Sequence, residues 1–260
     1  MRRFLITLGF MTRIPVPQTL KYEEGDLEKG IVWFPIIGLL LGGIAALVYG
    51  VISCILPKEM AVILAIIANL CLTGAFHLDG LCDTVDGIYS ARSKERMLEI
   101  MKDSHIGTNG VAVLVFNLAW KYIGIYHSQV PIITIVLLPV AGKMIQGVLG
   151  YRAVYPRKEG LGLFVGTVTK QRTCICFVVG AIVLMVGIVG METIGIGNEV
   201  AQLLILRSII IGFIMCVVLL IVAIWFRTYI EKKIGGITGD VMGAGSELSE
   251  MVFLLLMNLH

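Results

Sequence analysis

Six long apolar stretches alternate with shorter polar segments along the chain, and this pattern predicts membrane-spanning helices. The stretches lie near residues 31–55, 60–76, 110–126, 131–149, 174–190 and 203–226. About 20 apolar residues cross the hydrocarbon core of a bilayer as a helix. A seventh stretch, 251–259, is too short to cross alone. It either extends backward through Glu247 into a longer helix or enters the bilayer partway.

The predicted architecture is therefore an all-α, polytopic integral membrane bundle with six spans and a short C-terminal helix as a candidate seventh. Composition supports it, because 57% of the residues are hydrophobic and 15% are charged, whereas soluble domains have about 25% charged residues. The apolar stretches run from end to end, so we expect one membrane-embedded domain, 1–260. The net charge of +3 and the lack of a long basic run exclude a nucleic-acid partner. The expected surroundings are a lipid bilayer.

The N-terminus and the cysteines add little chemistry. The opening MRRFLITLGFMTRIPVP has a short apolar core interrupted by Arg13, and no cleavage site follows, so we expect an interfacial helix and not a signal peptide. The six cysteines form no CxxC pair, and most lie in apolar stretches. We interpret them as packing residues.

Basic residues are distributed unevenly between the predicted loops. Four segments, 1–30, 77–109, 150–173 and 227–249, carry 5, 4, 5 and 3 Lys or Arg residues, and the intervening loops carry 1, 0 and 0. By the positive-inside rule the rich segments face the cytoplasm. These segments also hold nearly all the polar chemistry. We therefore expect a multi-pass protein of the cell membrane with a single cytoplasm-facing site.

The first candidate site is the segment HLDGLCDTVDG at residues 77–87. Asp79, Asp83 and Asp86 are spaced i, i+4 and i+7, which places them on one face of a helix. Like charges so close together repel, and a divalent cation would neutralise them. Carboxylate oxygens suit Mg²⁺ or Mn²⁺ better than Zn²⁺. The simpler alternative is a solvated acidic face at the end of a span.

The segment that follows offers candidate ligands for phosphate. Arg92 and Lys102 could neutralise phosphate charge, and the amides of Gly107 and Gly110 could bind phosphate at a helix N-terminus. His105 is either a catalytic or a hydrogen-bonded structural histidine. The alternative for the charges is a solvated helix face, with Ser93 as a simple N-cap. The alternative for the glycines is an ordinary turn into the next span.

A second polar motif, GGITGDVMGAGSELSE at 235–250, lies near the C-terminus. Asp240 and Glu247 are spaced i, i+7, and could complete a metal shell or supply a base, although the glycines alone would also suit helix packing. Lys143 lies toward the cytoplasmic half of a span and could reach a phosphate. Lys121 lies toward the outer end, where we expect it to snorkel without a functional role. The loop 151–162 either holds an anionic substrate or is a plain basic loop.

Together these motifs resemble one family. HLDGLCDTVDG, ERMLEIMKDSHIGTNG and GGITGDVMGAGSELSE are similar to the motifs of the cobalamin synthases, the adenosylcobinamide-GDP ribazoletransferases, and FMTRIPVP is similar to their start. The resemblance covers nearly the whole chain. Cys82 stands where the family often has alanine, which is a mild departure.

The resemblance implies a Mg²⁺-dependent membrane phosphotransferase. Its reaction would transfer the adenosylcobinamide-phosphate group from adenosylcobinamide-GDP to the 5′ oxygen of α-ribazole or of α-ribazole 5′-phosphate. GMP would leave, and adenosylcobalamin or its 5′-phosphate would form. The residues agree with this chemistry if carboxylates hold the metal ion and take the alcohol proton. The metal ligands are then Asp79, Asp83, Asp86 and Asp240, and the catalytic candidates are Asp83, Glu247 and His105.

Two other functions compete with this interpretation. CDP-alcohol phosphotransferases have a pattern similar to DxxDGxxAR, but here Ala91 and Arg92 follow Gly87 one residue too late, and the closing half of that pattern is missing. A membrane transporter would place its carboxylates near the bilayer midplane and not at one face. The lower-ligand base and the choice between a monomer and a homo-oligomer stay open.

Overall fold

The computed structural model describes residues 1–157, 161–193 and 198–259, and the regular structure in these ranges is helical. Lys158, which contributes to the predicted charge distribution, and residues 194–197 of a predicted outer loop lie outside them. Two 3₁₀ turns, Ile31–Trp33 and Leu161–Thr167, accompany the helices. The α-helices are α1 (Arg2–Met11), α2 (Asp26–Gly30), α3 (Phe34–Ser53), α4 (Lys58–Thr73), α5 (Phe76–Tyr89), α6 (Lys94–Ile100), α7 (Thr108–His127), α8 (Pro131–Met144), α9 (Gln146–Gly150), α10 (Lys170–Thr193), α11 (Asn198–Ile234) and α12 (Gly239–Met257).

The all-α, multi-span architecture predicted from sequence is present. Within the described ranges, four helical segments are long and apolar enough to cross a membrane: Asp26–Ser53, Pro131–Gly150, Lys170–Gly190 and Leu204–Ile234. A fifth is reached if α4 and α5, which meet at an angle of 86°, count as one broken span. The predicted stretch at 110–126 forms α7, which carries the buried polar residues Asn117 and Lys121 and is not one of these four segments.

Helix α8 lies at the centre of the bundle and packs against α3, α10 and α12. Its close contact with α3 depends on glycine, because a Cβ on Gly38 would lie 2.8 Å from the Pro139 carbonyl oxygen. In contrast, 22% of the residues in the apolar part of Lys170–Gly190 and 28% of those in the apolar part of Leu204–Ile234 are buried. These two helices therefore present most of their apolar surface to lipid, as membrane helices at a bundle periphery do.

The sharp turn between α4 and α5 arises from two consecutive residues in the left-handed conformation. Gly74 has φ +62° and Ala75 has φ +57°. Glycine adopts this region at no steric cost, and alanine does so only when its surroundings fix it. As a result α5 leaves the direction of α4 and does not continue its crossing.

Helix α5 then packs directly on α12, and two glycines permit the contact. A Cβ on Gly80 would lie 2.7 Å from the Asp240 carbonyl oxygen, and a Cβ on Gly243 would lie 3.1 Å from the His77 backbone. This pairing brings the two polar motifs of the sequence together. Helix α12 is continuous from Gly239 to Met257, so the 251–259 stretch extends backward through Glu247 into a longer helix.

Candidate active site

The acidic face of α5 carries Asp79, which is exposed, and Asp83 and Asp86, which are half-buried. Helix α5 lies outside the four helical segments that are each long and apolar enough to cross a membrane. The pKa of the Asp83 carboxyl is raised to about 7, first by burial and then by the negative charges of Asp79 and Asp240. The charge of Arg157 acts in the opposite direction. The site therefore concentrates negative charge that a further cation would relieve.

Asp86 is committed to a structural contact. Its two carboxylate oxygens accept hydrogen bonds from the backbone amides of Gly107, at 2.7 Å, and Gly110, at 2.8 Å. These are the amides that the sequence suggested for phosphate. In the structure the Asp86 carboxylate takes that position at the start of α7, where an anion is stabilised by the free N–H groups and the helix dipole. The expected phosphate contact of Gly107 and Gly110 is thus replaced by an intramolecular cap.

Asp240 is close to the first motif but already has a cationic partner. Its Oδ2 atom lies 2.9 Å from Nη2 of Arg157, and it accepts a hydrogen bond of 3.3 Å from the Thr238 hydroxyl. Arg157 was not among the residues predicted for the site, although the loop 151–162 was expected either to hold an anionic substrate or to be a plain basic loop. The basic character of that loop was the available signal.

A second charged cluster lies inside the bundle. Nζ of Lys121 is 2.6 Å from a carboxylate oxygen of Glu247 and 2.6 Å from one of Glu250, and Nζ of Lys143 donates to the Ser246 hydroxyl at 3.1 Å. All four charged side chains are buried. The prediction that Lys121 snorkels to the surface is wrong, because two buried carboxylates hold it. Glu250 was missed, although its i, i+3 relation to Glu247 was visible.

Glu247 and Lys143 line one cavity with His77 and Leu78, the first two residues of the first motif. Glu247 is two helical turns beyond Asp240, about 10 Å along the axis of α12, and pairs with Lys121. Glu247 and Lys143 are therefore both already engaged inside the bundle, and their predicted roles as base and phosphate ligand stay predictions. Their position fits the internal stabilisation of α7, α8 and α12, since buried charges in membranes pair with one another.

The segment between α5 and α7 presents the other predicted residues at the surface. Arg92 and Lys102 are exposed, and Ser93 caps α6 by accepting from the Arg96 amide at 3.4 Å, as the sequence suggested. His105 is 90% exposed, and its Nδ1 lies 2.7 Å from Oδ1 of Asp103. This hydrogen bond lowers the pKa of Asp103. The imidazole is thereby oriented with its Nε2 atom toward solvent.

Comparison with known proteins identifies the relatives of this arrangement. The family model described as cobalamin-5-phosphate synthase matches residues 3–258. The chain belongs to the cobalamin-5-phosphate synthase family. It is similar to the adenosylcobinamide-GDP ribazoletransferase of Clostridium novyi (strain NT), at 38% identity over 98% of this chain and 96% of the relative. No solved structure matches the chain.

Two other relatives cover the chain equally well. The adenosylcobinamide-GDP ribazoletransferase of Clostridioides difficile (strain 630) is 35% identical over 98% of this chain and 96% of its own length. The protein of that name from Citrobacter koseri is 38% identical over 97% of each chain. The match to the cobalamin-5-phosphate synthase family therefore includes both acidic motifs and the residues that form the α5–α12 contact.

The carboxylate oxygens at the α5–α12 site are of the kind that bind a hard divalent cation. Among the described residues, no three His, Cys, Asp or Glu side chains have a metal-binding arrangement. Asp79 and Asp83 offer carboxylate oxygens, the ligands Mg²⁺ prefers, and the pKa of Asp83 is raised by burial and then by the neighbouring carboxylates. Asp86 and Asp240 are engaged by the amides of α7 and by Arg157.

Proposed function

We propose that this protein is an adenosylcobinamide-GDP ribazoletransferase, which carries out the last assembly step of the cobalamin nucleotide loop. It transfers the adenosylcobinamide-phosphate group from adenosylcobinamide-GDP to α-ribazole or α-ribazole 5′-phosphate and releases GMP. The observation that carries the proposal is the contact between α5 and α12. It joins two distant acidic motifs at one site, within a chain that matches the family over residues 3–258.

The reaction exchanges one phosphoester oxygen for another. The acceptor hydroxyl oxygen forms a bond to the phosphorus of the adenosylcobinamide phosphate, and the bond from that phosphorus to the bridging pyrophosphate oxygen breaks. GMP leaves with the bridging oxygen, and the acceptor hydroxyl loses its proton. Because negative charge grows on the leaving group, positioned positive charge contributes most of the catalysis in such transfers.

The 5′ oxygen that was expected from sequence cannot be the acceptor atom in α-ribazole 5′-phosphate. In α-ribazole 5′-phosphate that oxygen is already esterified. A product that keeps its 5-phosphate, as in the family description, must form through another hydroxyl of the ribose. We therefore assign the attack on 5′-phosphorylated acceptor to a secondary ribose hydroxyl.

We propose Mg²⁺ as the cofactor, which Asp79 and Asp83 would hold with Asp240 as a third ligand. When bound, Mg²⁺ would supply Lewis-acid stabilisation of the pyrophosphate. Asp86 contributes by fixing α7 against α5. Arg92 and Lys102 supply exposed positive charge for the phosphates of the donor.

His105 is our proposed proton acceptor. Its Nδ1 atom is held by Asp103 at 2.7 Å, which leaves Nε2 free to accept a proton from the ribose hydroxyl. A histidine oriented by a carboxylate is well suited to this role near neutral pH. His105 also lies two residues before Gly107, whose amide contacts Asp86, so its backbone is close in sequence to a contact with the acidic face.

We further propose that the protein crosses the cell membrane six times and turns the site toward the cytoplasm. Besides the four qualifying helical segments, α4 and α7 would provide the remaining crossings. The distribution of Lys and Arg over the loops supports this orientation.

The direct test is GMP release by purified protein given Mg²⁺, adenosylcobinamide-GDP and α-ribazole. We expect one GMP per corrinoid product, and no GMP when either substrate or Mg²⁺ is omitted. A parallel reaction with CDP-alcohol donors should yield no transfer. Transfer from a CDP-alcohol without any reaction of adenosylcobinamide-GDP would contradict the proposal.

A further inference from the structure

Arg157 is a nearly buried cation placed among the carboxylates of the α5–α12 site. Its Nη2 atom lies 2.9 Å from Asp240, and its side chain is 11% exposed. The same atom is 3.4 Å from the Met101 carbonyl oxygen. Its Nε atom is buried without a hydrogen-bond partner among the described residues. The guanidinium therefore has an N–H group at the site that can still donate a hydrogen bond to a ligand.

The loop that carries Arg157 is fixed at its other end. Arg227 donates to the carbonyl oxygens of Val148, at 3.0 Å, and Tyr151, at 2.6 Å. The amide of Ile237 donates to the Val154 carbonyl at 2.9 Å. These contacts attach the loop to α11 and to the segment before α12. The backbone thus delivers Arg157 to Asp240.

Arg157 brings positive charge to the carboxylates of this site. Its charge acts on Asp83 as well as on Asp240, and it opposes the effect of the surrounding carboxylates. One guanidinium cannot neutralise Asp79, Asp83 and Asp240 together. A carboxylate shared between a guanidinium and a divalent cation would also bind each of them more weakly than it would bind one alone.

We propose that Arg157 is a catalytic residue that exchanges partners during the reaction. Asp240 holds its guanidinium in the resting protein, and would be one of the residues that hold a divalent cation when one is bound. The guanidinium then donates its N–H groups to the phosphate oxygens of the departing GMP. The planar fork of arginine fits phosphate oxygens in a bidentate way, and its charge is permanent. This inference rests on the proposed function.

The alternative is a purely structural role, in which the Arg157–Asp240 pair only docks the loop. The two roles differ in their effect on metal affinity. If Arg157 competes with the cation for Asp240, its removal makes metal binding tighter. If it only holds the loop in place, its removal leaves metal binding unchanged or weaker.

The test compares Arg157→Gln with Arg152→Gln, which removes an exposed charge from the same loop. Binding of Mn²⁺ alone is followed by the loss of the free-ion electron paramagnetic resonance signal. For Arg157→Gln we expect at least about threefold tighter Mn²⁺ binding, together with an approximately 100-fold lower kcat for GMP release. For Arg152→Gln we expect both values to stay at the wild-type level.

Arg157→Lys provides a second comparison if the glutamine variant does not fold. Lysine keeps the charge but not the fork, so Mn²⁺ affinity should stay near wild type while kcat falls. Unchanged or weaker Mn²⁺ binding by folded Arg157→Gln, or a wild-type kcat in both variants, would overturn the inference. Absence of GMP release by the wild-type protein would instead reject the proposed function.

Discussion

Asp86 illustrates at the residue scale how neighbouring groups decide the role of a carboxylate. Both of its oxygens accept hydrogen bonds from backbone amides at the start of α7. These bonds link α5 to α7, although α6 lies between them in the sequence. Asp83, on the same face, has no such cap within the described part of the chain, and its pKa is raised to about 7. The two aspartates thus differ in their surroundings, and the proposed function assigns the scaffold to Asp86 and the chemistry to Asp83.

Replacement of Asp86 by Ala should therefore lower stability more than replacement of Asp79. Loss of a helix cap costs about 1–2 kcal/mol, whereas removal of the exposed Asp79 relieves repulsion. Thermal unfolding of detergent-solubilised protein, followed by circular dichroism, should show a lower Tm for Asp86→Ala only. Equal Tm values for the two variants would argue against the cap.

Replacement of Asp83 by Asn should remove the chemistry and leave the fold intact. The amide cannot supply the negative charge that a metal ligand needs, so we expect GMP release to fall at least about 10³-fold. The matched control is Glu99→Gln, which neutralises an exposed carboxylate paired with Arg96. Full activity of folded Asp83→Asn would remove this residue from the site.

The sequence could predict the shared face of Asp79, Asp83 and Asp86, because spacing along one helix is a local property. It could not predict the separate roles of these residues. The amides that bind Asp86 lie 21 and 24 residues further along the chain. Arg157, the partner of Asp240, lies on a loop that is distant from α12 in the sequence. Such roles depend on tertiary contacts, which leave no local pattern.

At the scale of elements, the contact between α5 and α12 determines whether the two acidic motifs form one site. The contact is close because Gly80 and Gly243 have no side chain. The atoms opposite them belong to the backbone of the partner helix, and backbone cannot move aside as a flexible side chain can. Any added atom must therefore separate the helices.

We expect Gly80→Ala to lower GMP release strongly and to reduce the free energy of unfolding by about 1–3 kcal/mol. Its Cβ would lie 2.7 Å from the Asp240 carbonyl oxygen, whereas a Cβ on Gly43 meets nothing within 4 Å. Gly43→Ala is thus a control for the same substitution in open space. Parallel assays of activity and Tm would show the difference, and equal behaviour of the two variants would contradict the close contact.

The buried cluster of Lys121, Glu247 and Glu250 is the second feature at this scale, because it holds α7 against α12. Lys121→Met leaves two carboxylates without their cation, which should cost about 3–5 kcal/mol. The double variant Lys121→Met/Glu247→Gln should regain part of that loss. The stability of both variants is measured by their monodispersity and Tm in detergent. Lys21→Met, which changes an exposed lysine, is the control. If Lys121→Met is as stable as wild type, the cluster has no structural role.

At the scale of the whole molecule, the hydropathy pattern predicted much of the architecture. The stretches near 31–55, 131–149, 174–190 and 203–226 correspond to the four qualifying helical segments, because membrane burial is recorded in local composition. The turn of 86° between α4 and α5 was not predicted, since the left-handed Ala75 has no sequence signature. The charge pairing of Lys121 was missed because its partners lie on α12.

In the proposed orientation, one face of the bundle, turned toward the cytoplasm, carries the chemistry. The acidic motifs and Arg157 meet at the end of the bundle that holds the exposed segment between α5 and α7. The donor and acceptor are both too polar to cross the bilayer unaided. They must therefore reach the site from the side on which α5 is exposed.

The most direct test is GMP release by sealed vesicles of known orientation that contain either wild-type protein or Asp83→Asn. Adenosylcobinamide-GDP, α-ribazole and Mg²⁺ are supplied from outside. We predict GMP from inverted wild-type vesicles, none from right-side-out vesicles until they are permeabilised, and none from Asp83→Asn in either orientation. GMP release by intact right-side-out vesicles, or by the Asp83→Asn protein, would contradict a cytoplasmic site built on the α5 carboxylates.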